Sequence, residues 1–112
     1  MKHKTRPLLS CVYRPKRRGL GLLHSYSGIT QSSFAPEAVA PYTVLIYDEC
    51  GMLKSTTNCY FKDGQLFAED SYYYIPGRWY MVVLQESGGL RRQDVSRVMI
   101  DPEKGGVKYE KQ

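Results

Sequence analysis

The sequence lacks an apolar run long enough to cross a bilayer, because charge, proline or glycine interrupts each hydrophobic stretch well short of the about 18 residues that a membrane-spanning helix requires. The basic start of the chain is followed only by PLLSCV before charge returns, which is too short for the apolar part of a secretory signal. We therefore expect a cytoplasmic protein that is not exported and has no membrane partner.

Cysteine and histidine are scarce. The three cysteines, Cys11, Cys50 and Cys59, are an odd number, which predicts reduced thiols buried as small apolar side chains. A Cys50–Cys59 disulfide would close a hairpin-sized loop and is the less favoured alternative. The two histidines, His3 and His24, show no spacing typical of a metal site or of a Cys–His nucleophile. We expect no metal, no cofactor and no catalytic residue.

Acidic residues are missing from the first 24 positions, which carry seven lysines and arginines, whereas the remainder of the chain has more acid than base. The net charge of +5 therefore arises at one end of the chain. Such a concentration is typical of a surface for an anionic partner such as nucleic acid, but it also occurs on surfaces that are merely hydrated.

Helical periodicity is weak, and the segments between glycines and prolines have the composition of strands. YTVLIY predicts a central strand buried on both faces, and the Asp63-Gly64 pair predicts a tight hairpin. A single helical turn is expected within 90–98, which overlaps a predicted strand. The predicted strands outside the hairpins are 42–47, 79–85, 95–100 and 107–109.

A chain of this length predicts one domain, mainly β, with an antiparallel bent sheet or partly open barrel of about six to eight strands and at most one or two short helices. We expect a frayed start at 1–7, a basic hairpin at 8–26, a connecting loop at 27–41 and the main sheet at 42–109. The adjacent acids in YDEC, before Gly51, are read as a turn. The core is predicted to draw on Val44, Ile46, Tyr60, Leu66, Trp79, Met81, Val83, Val98 and Ile100.

The segment VYRPKRRGLGLLHSY has the densest positive charge in the chain. Apolar runs of strand length flank it, so we predict a hairpin whose connecting loop is 15–19. Three cations would then project together from a rigid tip, and a rigid tip loses little conformational entropy when it binds phosphates. Nearby tyrosines are candidates for stacking on a base. The predicted nucleic-acid-binding residues are Tyr13, Arg14, Lys16, Arg17, Arg18 and Tyr26.

Tyrosine dominates the aromatic residues, with ten copies, three of them consecutive at 72–74. Because strand side chains alternate, either Tyr73 faces the core and its two neighbours face outward, or the reverse. Aromatic surface of this kind is typical of protein interfaces, including those between copies of one chain. The predicted protein-binding residues are Tyr72, Tyr73, Tyr74, Trp79 and Tyr80.

Three functions follow from these observations. The leading hypothesis is a small non-catalytic module that binds nucleic acid through the basic hairpin loop. The alternative is a protein-binding adaptor or inhibitor, or a homodimer, that uses the tyrosine-rich face. A small basic ribonuclease that works without histidine is the second alternative, with arginine or lysine stabilising charge and tyrosine or glutamate moving protons.

Overall fold

The computed structural model describes residues 6–16, 19–31, 40–87 and 91–112, and for residues 15, 16, 19, 20 and 40 it describes the main chain only. The chain is all-β there, one antiparallel sheet of eight strands that nearly closes into a barrel, which confirms the predicted fold class. No helix that could cross a membrane occurs within these ranges. The strands are β1 (Leu8–Lys16), β2 (Gly19–Ser27), β3 (Ala40–Tyr47), β4 (Leu53–Lys62), β5 (Gln65–Ala68), β6 (Tyr80–Glu86), β7 (Arg92–Ile100) and β8 (Val107–Lys111).

The strand order in the sheet is β1-β2-β5-β4-β3-β6-β7-β8. The short β2–β5 ladder, with Ser25 opposite Phe67 and Tyr26 opposite Leu66, joins the N-terminal hairpin to the rest of the sheet. A bridge between Leu22 and Tyr72 extends this junction. The first and last strands of the sequence are thus the two edges of the sheet, and the curvature of the barrel brings them face to face.

Two hairpins show how local sequence sets the connections. Asp63 and Gly64 both have positive φ, 52° and 78°, the twist that a two-residue β-hairpin turn requires, and the hairpin predicted there is confirmed. In the N-terminal hairpin Lys16 pairs with Gly19, so the ladder is longer and the connection shorter than the predicted 15–19 loop. The strand accepts Pro15 because β1 lies at a sheet edge. The predicted tip residues Arg17 and Arg18 lie outside the described residues.

The helical turn predicted within 90–98 is wrong, because Arg92–Ile100 is a strand paired with β6 on one side and β8 on the other. Its burial has a period of two, with Asp94, Ser96 and Val98 buried. Two of these three side chains are polar, so the hydrophobic alternation that identifies a strand is absent from the sequence. Pairing on both edges, which depends on the rest of the fold, determines the strand conformation.

The barrel interior contains Val44, Ile46, Leu66 and Val98, as predicted. On β6 the core cluster takes Tyr80, Val82 and Leu84, which the prediction missed. Val83 is buried as predicted, at 1% exposed, but lies outside that cluster, whereas Met81 on β6 and Trp79 just before it are only half-buried. β6 is apolar at consecutive positions, so alternation does not identify its inner face. Of the other predicted core residues, Tyr60 is half-buried, and Ile100 is half-buried against the core.

β3 is central, between β4 and β6, as predicted, but its burial alternates instead of covering both faces. Val44 and Ile46 are fully buried, while Thr43, Leu45 and Tyr47 are half-buried. The outer side of β3 therefore lies partly open. The adjacent acids read as a turn form one, because the Asp48 carboxylate accepts hydrogen bonds from the main-chain N–H groups of Cys50 and Met52, both at 2.9 Å.

The interior also holds a hydroxyl group that works against stability. Tyr26 is fully buried, and its hydroxyl oxygen has no hydrogen-bond partner among the residues that the structure describes. We expect Tyr26→Phe to raise the free energy of unfolding by about 1–2 kcal/mol, since it removes an unsatisfied polar group and leaves the ring in place. Tyr26→Leu, the matched control, should destabilise the protein through the cavity it opens. Urea unfolding measures both, and a destabilised Tyr26→Phe variant would contradict the prediction.

Candidate nucleic-acid interface

The two edge strands, β1 and β8, face each other along one side of the barrel. We call this side, together with Arg6, Pro7, residues 91–92 and Lys104, the basic seam. Side chains bridge it at three levels: Lys111 Nζ donates to the Pro7 carbonyl oxygen at 2.6 Å, the Tyr13 hydroxyl donates to the Gly105 carbonyl, and the Tyr109 hydroxyl bonds to Cys11. Because β1 and β8 are the ends of the sheet, these bridges take the place of a ladder.

The seam collects positive charge from both ends of the chain. Arg6 and Arg14 come from the N-terminal segment, and the remainder come from 91–111. Three further cations of this region are paired: Lys111 Nζ lies 2.8 Å from Asp94, Lys108 Nζ 3.6 Å from Asp101, and an Arg97 guanidinium nitrogen 2.9 Å from Glu110. Within the seam, the cations that have no ion pair with any described residue are Arg6, Arg14, Arg91, Arg92 and Lys104.

One end of the seam forms a shallow groove of about 310 Å³, whose charged lining residues are Arg6, Arg92, Lys111 and Asp94. The Asp94 side chain is only 1% exposed, and its two oxygens are occupied by Ser96 Oγ at 2.6 Å and by Lys111 Nζ. The one acid in the groove is therefore turned inward and bonded. What the groove presents to solvent is mainly arginine.

The predicted binding residues divide into three groups. Arg14 is exposed on β1, and Tyr13 is 42% exposed at the seam, so both are available to a partner. Tyr26 is 0% exposed and cannot stack on a base, because its ring packs in the barrel interior. The side chains of Lys16, Arg17 and Arg18 lie outside the described residues.

Sequence reasoning did not place Arg6, Arg92, Lys111 or Tyr109 in this surface. Tyr109 is 43% exposed on β8, directly across the seam from β1. These residues come from both ends of the chain, and only the return of β8 to β1 makes them neighbours. No local signal in the sequence could have found them.

The tyrosine-rich face that was predicted to bind protein is largely interior. Tyr72, Tyr74 and Tyr80 pack edge to face, with ring centroids 4.8 Å apart for 72–74 and 74–80 and 6.0 Å apart for 72–80. Tyr74 and Tyr80 are buried, and Tyr74 bonds through its hydroxyl to His24 Nε2 at 2.8 Å. Of the two alternatives for the consecutive tyrosines, the second is confirmed, because Tyr74 belongs to the core cluster and Tyr72 packs against it, whereas Tyr73 does not.

Trp79, the remaining residue of that face, is half-buried beside a groove of about 250 Å³ that Tyr72, Tyr73 and Tyr80 also line. Its main-chain N–H donates to Glu49 Oε1 at 3.1 Å, and the Arg97 guanidinium lies 4.5 Å from its ring centroid. These contacts hold the Trp79 ring on the barrel wall, so the groove is a fixed feature of the surface.

Two thiols and one imidazole are held in their neutral forms by burial. Burial raises the pKa of Cys11 to about 11 and that of Cys59 to about 12, so both remain thiols at neutral pH and neither is activated as a nucleophile. Burial lowers the pKa of His24 to about 4, which keeps its imidazole neutral. All three cysteines are free, as predicted, but only Cys59 is fully buried. Cys11 is half-buried and Cys50 is exposed, so the prediction that each is buried is wrong for Cys50 and only partly met by Cys11.

No known protein family, curated protein or solved structure matches this chain. Function is therefore inferred from the charges and exposed side chains of the chain itself.

Proposed function

We propose that this protein is a non-catalytic module that binds nucleic acid and that the basic seam is its binding surface. One observation carries the proposal: the basic N-terminal segment lies next to Arg91, Arg92 and β8. The hydrogen bond from Lys111 on β8 to Pro7 joins the two ends of the chain there. Polyanions bind where several cations lie within one footprint, because each phosphate that is neutralised releases condensed counterions.

Pairing within the protein strengthens this argument. Three of the four acids in residues 91–112 form ion pairs with Lys111, Lys108 and Arg97, whereas Glu103 and five cations of the seam have none inside the described ranges. The opposite side of the barrel differs in its balance of charge. There β4 carries Lys54 and Lys62, but Asp63 lies in the β4–β5 turn, and Glu69 and Asp70 follow β5. The basic tip residues predicted from the sequence, Lys16, Arg17 and Arg18, follow Arg14 closely along the chain.

The test is the salt dependence of binding to labelled DNA and RNA oligonucleotides of about 15 nucleotides, measured by fluorescence anisotropy between about 50 and 200 mM salt. For single strands each phosphate contact contributes about 0.7 to the slope of log affinity against log salt. We expect the triple variant Arg6→Ala/Arg14→Ala/Arg92→Ala to bind more weakly and to lower the magnitude of the slope by about 2.

The matched control is Lys54→Ala/Lys62→Ala, which removes exposed cations from β4 on the far side of the barrel. It should leave the slope unchanged. If the control weakens binding as much as the triple variant does, or if the triple variant binds like the wild type, the seam is not the binding surface. Lys16→Ala/Arg17→Ala/Arg18→Ala tests the tip separately.

A protein-binding module is the second candidate, and the groove beside Trp79 favours it. Ile75 is an exposed apolar residue at its edge, and Tyr73 and Arg78 also line it. Aromatic and apolar contacts of this kind are not screened by salt. A complex that persists in high salt and is lost in Ile75→Asp, with nucleic-acid binding unchanged, would support this candidate.

A further inference from the structure

Two half-exposed tyrosines face each other at the middle of the basic seam. Tyr13 lies on β1 and Tyr109 on β8, and they expose 42% and 43% of their surface. They are close enough for Tyr13 to raise the pKa of Tyr109, although burial is the main cause of that shift. Most tyrosines in this barrel pack into its wall or interior, so this pair is unusual in facing solvent between strands.

Each of the two side chains is tied to the opposite strand or its turn. The Tyr13 hydroxyl donates to the Gly105 carbonyl before β8, and the Tyr109 hydroxyl bonds to Cys11 on β1. The two tyrosines therefore lean across the seam in opposite directions with their hydroxyls anchored. Anchored rings lose little rotamer freedom when a partner stacks on them, which lowers the entropic cost of binding.

Cations lie along the same two strands as this pair. Arg14 and Lys108 are the chain neighbours of Tyr13 and Tyr109 and project from the other face of β1 and β8. Arg6 and Arg92 line the groove at the far end of the seam. β1 has nine residues, which corresponds to about 30 Å of extended strand. The seam is thus long enough for several nucleotides, with aromatic rings between its charged ends.

Aromatic side chains that accept bases select single strands. In a duplex the bases stack on one another and hide their faces, whereas the bases of a single strand can splay out onto a ring. An electrostatic track combined with stacking platforms is the pattern of proteins that bind single strands with little sequence preference. We propose that the basic seam binds nucleic acid as a single strand, with bases stacked on Tyr13 and Tyr109, a statement that rests on the proposed function and specifies its ligand.

The first experiment uses the wild-type protein alone and varies the ligand. Three probes of equal length are compared at one salt concentration: a thymidine single strand, the same strand without its bases, and a duplex. The strand without bases keeps the phosphates, so we expect it to bind about 5- to 150-fold more weakly for each ring that is stacked, with a similar salt slope. The duplex should also bind more weakly than the single strand.

The second experiment varies the rings. Tyr13→Leu and Tyr109→Leu should each weaken binding of the thymidine strand about 5- to 150-fold without changing the salt slope. Tyr13→Phe and Tyr109→Phe keep the rings and should bind within a fewfold of the wild type. Thermal unfolding of each variant confirms that it is folded before its affinity is compared.

The outcomes separate this inference from the function on which it rests. If the strand without bases or the duplex binds as tightly as the thymidine strand, stacking is overturned while the seam remains a nucleic-acid surface. Leu variants that bind the thymidine strand as tightly as the wild type would also overturn stacking. If none of the three probes binds, the proposed function and this inference fail together.

Discussion

Lowering the pH from about 7.5 to about 4 will remove about 3 kcal/mol from the free energy of unfolding through one histidine. His24 is 2% exposed on β2, where it bonds to the Tyr74 hydroxyl, and burial lowers the pKa of its imidazole from 6.5 to about 4. Its protonated form is therefore excluded from the folded protein but not from the unfolded chain.

The sign follows from where the proton binds. Above pH 6.5 the histidine is neutral in both states and its contribution to stability is fully present. As the pH falls toward 4, His24 binds a proton in the unfolded chain but not in the folded protein. The free energy of unfolding therefore declines by about 1.4 kcal/mol per pH unit. The loss levels off once the folded protein is also protonated.

Urea unfolding at several pH values measures this loss, and His24→Gln is the control. Glutamine keeps a polar group near the Tyr74 hydroxyl but does not titrate. The variant should therefore be less stable at neutral pH, and its free energy of unfolding should change less between pH 6.5 and 4.5. Carboxylates contribute acid sensitivity below that range in both proteins, Asp101 among them, because main-chain hydrogen bonds lower its pKa. Parallel curves for the two proteins would show that His24 is not the cause.

Lys111→Met will destabilise the protein by about 3 kcal/mol, because it leaves the buried Asp94 carboxylate without its cation. Only 1% of the Asp94 side chain is exposed, so water cannot take the place of the ammonium group as it would at the surface. This loss is at the low end of the range for breaking a buried ion pair, because the Lys111 side chain is itself 43% exposed. Losing the bond to Pro7 should also loosen the start of β1.

A double-mutant cycle isolates the pair. Asp94→Asn keeps the shape of the side chain and removes its charge, so adding it to Lys111→Met should restore about 1–2 kcal/mol, seen as a shift of the urea midpoint. Amide hydrogen exchange at residues 8–10 reports the loosening of β1 separately. Additive effects of the two substitutions would mean that Asp94 and Lys111 are not coupled.

Predictions from the sequence succeeded where the determinant is local. The Asp63-Gly64 turn needs only two residues that accept positive φ, and the end of β3 needs only the Asp48 side chain to bond the next main-chain amides. The predictions failed where the local pattern is compatible with either face of a strand being buried. β6 is apolar on both sides, so nothing in its sequence indicates that Val82, and not Val83, faces the barrel interior.

The candidate site shows the same division. The charge of the N-terminal segment and Arg14 are visible in the sequence, because they depend on composition alone. Tyr26 was predicted to be a contact residue and is buried, because residues 21–26 of β2 are covered on both faces of the strand. Arg92 and Tyr109 reach the seam only because the barrel closes, and closure is a property of all eight strands together.

The sequence by itself therefore determined an antiparallel β protein with short turns and a positively charged end, since backbone geometry and charge depend on each residue and its near neighbours. Only the tertiary structure decided which side of each strand is buried, that the tyrosines at 72 and 74 pack together with Tyr80, and that β8 returns to β1. The physical reason is that burial and closure depend on contacts between residues far apart in the chain, and a strand pattern with a period of two leaves the choice of face open.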